Sequence, residues 1–158
     1  MDEFGASNDA ALAAHVVSAA DGMNLSWVYW SAMQLHDPTA GDFAEGLLDQ
    51  RSRQPIAPLA RGVATPYPWA TAGTPGPQSF DVATGTFRYT YAVDAKVAAP
   101  TLIELPRYTY PFGYTVGVRG ASVVSALDAP LLKLAAKPKA RQVSLTVRSL
   151  IGFPFPNY

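Results

Sequence analysis

The C-terminal half of the sequence alternates hydrophobic and polar residues in a pattern that predicts short β-strands. In segment 86–93, Phe87, Tyr89 and Tyr91 fall on one face, whereas Arg88 and Thr90 fall on the other. Similar runs recur at regular spacing and are separated by Pro, Gly and Asp, which is typical of a small antiparallel β-sandwich. The predicted strands are 86–93, 101–105, 114–119, 121–126, 131–135 and 142–150.

The N-terminal third has a different pattern, in which one helix lies between two short apolar runs. The polar pair at 8–9 can cap this helix, and Leu12, Val16 and Ala20 recur at helical spacing along one face. A strand, helix, strand succession with short connections predicts two parallel strands, which form one β/α unit. The predicted elements are strands within 1–5 and 25–33, a helix from about 9 to 21, and a short helix at about 54–62.

Two residues at the predicted strand ends carry the candidate chemistry. In barrels of alternating strands and helices, catalytic residues occupy the C-terminal ends of strands, and Glu3 stands at such a position. The other interpretation of Glu3 is a solvated acid that favours the start of the next helix. Trp30 ends the second apolar run and can stack on a sugar ring, or it can be a core residue. Alternation places Trp27 and Tyr29 on one face and Val28 and Trp30 on the other.

Two later segments lack a clear helical or strand pattern. Residues 34–54 are rich in breakers and predict a long loop, in which His36 either contacts substrate or is a solvent-exposed polar residue. Residues 65–79 combine Pro and Gly with aromatic residues, which predicts an extended connector. The two histidines, His15 and His36, lie in unrelated elements, so no metal site is predicted.

Charge and composition exclude several functional classes. The 158 residues include 12 Lys and Arg and 12 Asp and Glu, so no basic surface is expected to attract nucleic acid. No apolar run is long enough to serve as a stable membrane anchor. Without cysteine, the chain has neither a disulfide nor a thiolate zinc site. Two acids follow Met1, so no export signal is expected, and the compartment of a longer parent protein, including secretion, stays open.

Four motifs together resemble the C-terminal part of endoglycoceramidase-type enzymes of glycoside hydrolase family 5. They are MDEFGAS, LSWVYWS, ATPYPWATAGTP and SFDVATGTFRYTY, and the resemblance covers nearly the whole chain. In that family Glu-Phe-Gly ends the seventh barrel strand and Tyr-Trp ends the eighth. The resemblance therefore implies that Glu3 is the catalytic nucleophile and that Trp30 lines the sugar subsite.

The resemblance also implies the fold class, which is α/β plus all-β. Residues 1–64 would be the last two β/α units of a (β/α)8 TIM barrel, 65–79 a proline-rich connector, and 80–158 a small antiparallel β-sandwich. The first six barrel strands, with the acid/base Glu, have no counterpart here. The chain is therefore expected to be a fragment that is inactive without the missing N-terminal barrel portion.

The function implied is hydrolysis of the O-glycosidic bond of glycolipids such as glycosylceramides, with no cofactor. The substrate would be a glycolipid or another β-glucoside, with Trp30 on the sugar. Met33 and Leu35, just beyond it, would offer apolar surface to the lipid, unless they simply pack beneath the loop. The alternative function is a non-catalytic β-sandwich module, for binding or support, that carries a vestigial barrel remnant.

Overall fold

The computed structural model describes residues 3–5, 9–33 and 46–151. The chain divides into two compact units, the first up to Ala64 and the second from Thr65 onward. We describe each unit by itself.

The described part of the first unit contains two short parallel strands and two helices. Its elements are β1 (Glu3–Phe4), α1 (Ala10–Gly22), β2 (Val28–Tyr29) and α2 (Ala57–Val63). The Asp9 carboxylate accepts hydrogen bonds from the backbone N–H groups of Ala11 and Leu12, at 2.9 and 3.0 Å, and so caps α1 as predicted. Parallel pairing of β1 with β2 is also confirmed, although each strand has only two residues.

The buried face of α1 differs from the predicted one. Ala20 is buried as predicted, but Leu12 is 52% exposed and Val16 is only half-buried, because the helix packs through the residues that directly follow these two. Gly62 of α2 approaches α1 so closely that a β-carbon there would lie 3.2 Å from the Ala10 carbonyl oxygen. Close contact at a glycine favours alanine on the facing helix. The buried positions of α1 are Ala13, Val17, Ala20 and Asp21.

The second unit consists of two antiparallel four-stranded sheets. One has the order β4-β5-β10-β7 and the other the order β3-β6-β9-β8. Its strands are β3 (Tyr67–Ala70), β4 (Gly73–Asp81), β5 (Thr86–Val93), β6 (Thr101–Glu104), β7 (Tyr114–Arg119), β8 (Ala121–Val123), β9 (Leu131–Ala136) and β10 (Gln142–Ser149). All six predicted strands are present, with ends that differ by at most three residues.

The core of this unit lies between the two sheets. In β5 and β10, Tyr89 pairs with Leu145, and the Tyr89 ring is stacked beside its two aromatic neighbours at centroid distances of 6.5 and 5.8 Å. Ile103 of β6 pairs with Leu132 of β9 on the opposite sheet. All four residues belong to one buried cluster, which confirms the predicted antiparallel β-sandwich.

The segment expected to be a connector, 65–79, contributes strands to both sheets. β3 and β4 are each at the edge of a sheet. Proline lacks the N–H that a central strand needs, but an edge strand tolerates it. Each strand also has an irregular register, between Pro68 and Ala70 in β3 and between Pro75 and Gln78 in β4. The segment is therefore extended, as predicted, and is also paired.

Candidate active-site face

The two parallel strands of the first unit have one covered face and one exposed face. The register pairs Phe4 with Tyr29, and both rings pack against the small core formed by α1 and α2. The Phe4 ring lies 5.3 Å from that of Tyr29 and 5.7 Å from that of Trp27, both edge-on. These three aromatic residues therefore anchor the strands to the helices.

Glu3 and Trp30 lie on the opposite, exposed face. Glu3 pairs with Val28, and successive side chains of a strand alternate, so Glu3, Val28 and Trp30 share this face. Glu3 is exposed, Val28 is 60% exposed and Trp30 is 46% exposed. The predicted alternation is thus observed, and Trp30 is not a core residue. We call this surface of Glu3, Val28 and Trp30 the strand face.

Backbone contacts hold the end of the strand face together. The Trp30 N–H donates to the Phe4 carbonyl at 2.7 Å, which continues the pairing beyond β2. Gly5 follows with φ 128° and lies directly against the Trp30 carbonyl. The Trp30–Ser31 peptide bond is cis, and the Ser31 hydroxyl donates to the Met33 carbonyl at 3.1 Å. The chain therefore turns sharply between Trp30 and Met33.

A second segment is hydrogen-bonded to this turn. The N–H groups of Leu47 and Leu48 donate to the carbonyls of Ser31 and Ala32, at 3.0 and 2.9 Å. The guanidinium of Arg53 then contacts the Met33 side chain. The spacing of these residues along the chain gives no signal that the two segments meet.

The predicted site residues divide into two groups. Glu3 and Trp30 share the strand face, and Met33, half-buried, follows the turn after Trp30. Leu35 and His36 lie outside the described residues. Within the described ranges no cluster of His, Asp or Glu is suited to hold a metal ion, and His15 is exposed on α1.

The other described carboxylates of the first unit have structural partners. Asp9 caps α1, and Asp21 accepts a hydrogen bond from the Trp27 indole N–H at 3.3 Å. Asp49 caps a turn, where backbone and hydroxyl hydrogen bonds from Ser52 hold its pKa below the ordinary value. Among these four carboxylates, Glu3 is the one that shares a strand face with an exposed aromatic residue.

Comparison with known proteins identifies relatives of both units. Over 138 residues the chain is 32% identical to endoglycoceramidase I of Rhodococcus hoagii, covering 86% of this chain and 24% of that protein. The structure of endo-glycoceramidase II from Rhodococcus sp., solved as a lactosyl-enzyme intermediate, has 27% identity and a TM-score of 0.72. It covers 96% of this chain and 33% of that chain, so the present chain spans a third or less of these relatives.

A more distant structure shares the fold. Sterylglucosidase 1 of Cryptococcus neoformans matches with a TM-score of 0.70 at 20% identity, over 90% of this chain and 24% of that chain. Neither helix of the described ranges is long and apolar enough to cross a membrane. Residues 66–147 match the glycoside hydrolase family 5 C-terminal domain, more than half of the chain. The chain therefore belongs to this family and is similar to endoglycoceramidases.

Proposed function

We propose that this chain is the C-terminal part of a retaining glycosidase that hydrolyses glycolipids, with Glu3 as its nucleophile. One observation carries the proposal. Glu3 and Trp30 occupy the same exposed face of two parallel strands whose other face packs on helices. In a TIM barrel the strands have helices on the outside and the active site at their C-terminal ends. The first unit, residues 1–64, would be the last two β/α units of such a barrel.

The chemistry requires a second carboxyl group from the rest of the barrel. In a retaining glycosidase a carboxylate attacks the anomeric carbon, while a carboxylic acid about 5–5.5 Å away protonates the leaving oxygen. The same acid, now a carboxylate, then removes a proton from the water that hydrolyses the glycosyl-enzyme intermediate. Glu3 would perform the attack, and Trp30 would stack on the sugar at the scissile bond. The acid/base Glu would come from a preceding barrel strand, so this chain alone is inactive.

The substrate class follows from the relatives and from the residues beyond Trp30. Met33 lies directly after the turn, and Leu35 follows two residues later. A site that cleaves sugar from ceramide must accept a polar glycan and a lipid side by side. Met33 and Leu35 would contact the lipid, and His36 would contact polar groups of the substrate.

The experiment is carried out on an enzyme that combines this chain with a complete barrel. Glu3→Gln should lower turnover on glucosylceramide by several orders of magnitude, because an amide is a poor nucleophile. Glu104→Gln, at a half-buried position in β6, is the matched control and should retain activity. Near-normal turnover by the Glu3 variant would refute the nucleophile assignment. Preference for cello-oligosaccharides over both glucosylceramide and an oligosaccharyl ceramide would refute the glycolipid assignment alone.

A second candidate function is that of a non-catalytic module. It is favoured because the sandwich has a hydrophobic core of its own. Among the described residues, its buried hydrophobic cluster has 13 members, against four in the cluster of the first unit. Trp69 and Tyr67 of β3 are 64% and 40% exposed, and exposed aromatic residues can bind sugar rings. A glycan that binds the isolated chain, and no longer binds after Trp69→Ala, would support this function.

A further inference from the structure

The whole chain is neutral, but its two units have opposite formal charges. Of the 12 Lys and Arg, nine lie in the second unit, and of the 12 Asp and Glu, four do, so that its net charge is +5. The remaining three Lys and Arg and eight Asp and Glu give the first unit a net charge of −5. The balanced composition of the whole sequence therefore conceals a basic sandwich. A charge difference of this kind within one chain indicates a charged partner.

Five of the nine basic side chains lie at one end of the sandwich, where hydrogen bonds between segments bring them together. The Val93 N–H donates to the Arg141 carbonyl at 2.9 Å and joins the end of β5 to the start of β10. The Lys137 N–H donates to the Gly120 carbonyl at 2.9 Å and joins the turn after β9 to the end of β7. We call this surface the basic end. Its five members are all exposed, and they are Lys96, Arg119, Lys137, Lys139 and Arg141.

Three of the four acids of the second unit lie at the opposite end. Asp81 pairs with the first residue of β5, Glu104 pairs with the first residue of β9, and Asp128 accepts a hydrogen bond from the first residue of β7 at 3.2 Å. The basic end lies at the other ends of these same three strands. The fourth acid, Asp94, is at the basic end, where its carboxylate accepts a hydrogen bond from the Lys96 N–H at 2.9 Å. The positive charge is therefore concentrated at one end of the sandwich.

The charges of the basic end are not neutralised by neighbouring side chains. Within the part of the chain that the structure describes, no carboxylate forms an ion pair with any of the five basic residues. Asp94 contacts the Lys96 backbone rather than its ammonium group. The five side chains are therefore available to a negatively charged partner.

The composition of the basic end distinguishes between classes of anionic partner. The segments that carry it, 94–98, 119–120 and 137–141, contain no aromatic residue. Proteins that bind single-stranded nucleic acid stack bases on aromatic residues, and stable protein interfaces are centred on aromatic anchors. An anionic bilayer needs neither, because it attracts each Lys or Arg near its surface as a point charge. Val97, next to Lys96, is 42% exposed and offers apolar surface at the depth of the headgroups.

We propose that the basic end is a docking surface for an anionic phospholipid bilayer. The headgroup phosphates of the lipid would neutralise the five basic side chains. Attachment of this kind is reversible, and salt weakens it by screening the charges. The inference goes beyond the proposed function, because it concerns the second unit and uses neither Glu3 nor Trp30.

The test measures binding of the 158-residue chain to vesicles by flotation, in which aggregated protein does not rise with the lipid. The vesicles contain phosphatidylcholine alone or equal parts of phosphatidylcholine and phosphatidylglycerol. The anionic vesicles should bind the chain about tenfold more tightly or better, since several basic residues contribute. This preference should disappear between about 0.1 M and about 1 M salt, as the screening length falls from about 10 Å to about 3 Å. Equal binding to both kinds of vesicle would overturn the proposal.

A charge-matched pair of variants tests the location of the docking surface. Lys137→Gln combined with Arg141→Gln should weaken binding to anionic vesicles by about tenfold to thirtyfold, because one basic residue near such a surface contributes about fivefold. The control is Lys133→Gln combined with Arg148→Gln, which removes the same charge at exposed positions away from the basic end. It should retain binding within about threefold, because salt screens distant charges. Equal losses in both double variants would show that total charge, rather than the basic end, is responsible.

A short DNA duplex separates a lipid surface from nucleic acid. Compared as Kd per phosphate group, the duplex should bind the chain more weakly than the anionic vesicles do. Tighter binding of the duplex that is lost in the Lys137 and Arg141 variant would identify nucleic acid as the partner and overturn the proposal. The vesicles contain no glycolipid, so failure to bind them leaves the proposed function intact. Conversely, loss of the proposed glycolipid hydrolysis would leave the docking surface intact.

Discussion

Gly5 lies against the carbonyl of Trp30 so closely that a β-carbon at Gly5 would overlap the oxygen. This contact joins the residue after β1 to the exposed aromatic residue after β2. Gly5 also has φ 128°, which side-chain-bearing residues rarely adopt. The glycine of the Glu-Phe-Gly motif therefore determines how close Trp30 lies to the strand that carries Glu3.

We expect Gly5→Ala to displace Trp30 and to lower kcat/KM of the complete enzyme by roughly a hundredfold, as a misplacement of about 1 Å does. Gly22→Ala is the matched control, because a β-carbon at this position in α1 meets nothing within 4 Å. The control should keep its activity and gain slightly in thermal stability. Unchanged kinetics of Gly5→Ala on a glycolipid substrate would contradict the proposed role of the contact.

Two leucines of the second unit should differ strongly in their contribution to stability. Leu145 is buried to 2% exposure between the sheets, and truncation to Ala should lower the free energy of unfolding by about 2–5 kcal/mol. Leu127 is 89% exposed, and Leu127→Ala should change the same quantity by less than about 0.5 kcal/mol. Urea denaturation followed by circular dichroism measures both. Similar losses of unfolding free energy in the two variants would mean that Leu145 does not lie in the core of the sandwich.

Alkaline pH should destabilise the sandwich through Tyr110. Burial raises the pKa of Tyr110 above its ordinary value of 10.0, and it raises the pKa values of Tyr89 and Tyr114 in the same direction. Burial favours the neutral hydroxyl in the folded state. The contribution of Tyr110 to the free energy of unfolding is therefore complete below about pH 10 and is lost as the pH rises further. We expect the free energy of unfolding to fall steadily as the pH rises above about 10.

Tyr110→Phe should reduce that fall, because phenylalanine cannot ionise. Tyr108→Phe, at an exposed position of the same loop, is the matched substitution for comparison. Urea titrations across the alkaline range give the slope for each variant. Equal slopes in both variants and the unmodified chain would rule out Tyr110 as the group responsible.

Limited proteolysis should reduce the isolated chain to a fragment that begins near Thr65. The described part of the first unit buries few apolar residues, and its two strands are too short to be stable alone. The second unit begins at Thr65 and includes β3 and β4 in its sheets, so protection should extend through residues 67–81. Mass spectrometry of the fragments identifies the boundary. Equal protection of the residues before Ala64 would show that the first unit is stable without further chain.

The alternation of hydrophobic and polar residues predicted β5 correctly, because its aromatic residues leave little ambiguity about which face is buried. Phe87, Tyr89 and Tyr91 are all buried, as the period of two requires. Periodicity was less informative for α1, where Leu12 is the most hydrophobic residue of the predicted face and yet is exposed. The close contact with Gly62 of α2 determines which face of α1 is buried. The sequence of α1 alone does not show which later residue packs against it.

The candidate site was predictable only where a motif marked it. Glu3 and Trp30 follow from strand-end position and family resemblance, and the structure adds that they share a face. Their catalytic roles stay predictions. The hydrogen bond between Leu47 and Ser31 brings a later segment beside the turn after Trp30, and no periodicity in the sequence encodes this contact.

The prolines of β3 and β4 have a consequence for solubility. A sheet edge normally exposes N–H groups and can recruit a strand from another molecule, which is a common route to fibrils. Pro68, Pro75 and Pro77 remove such donors at the outermost strand of each sheet. The proline-rich segment 65–79 of the second unit therefore also hinders intermolecular strand addition at one border of each sheet.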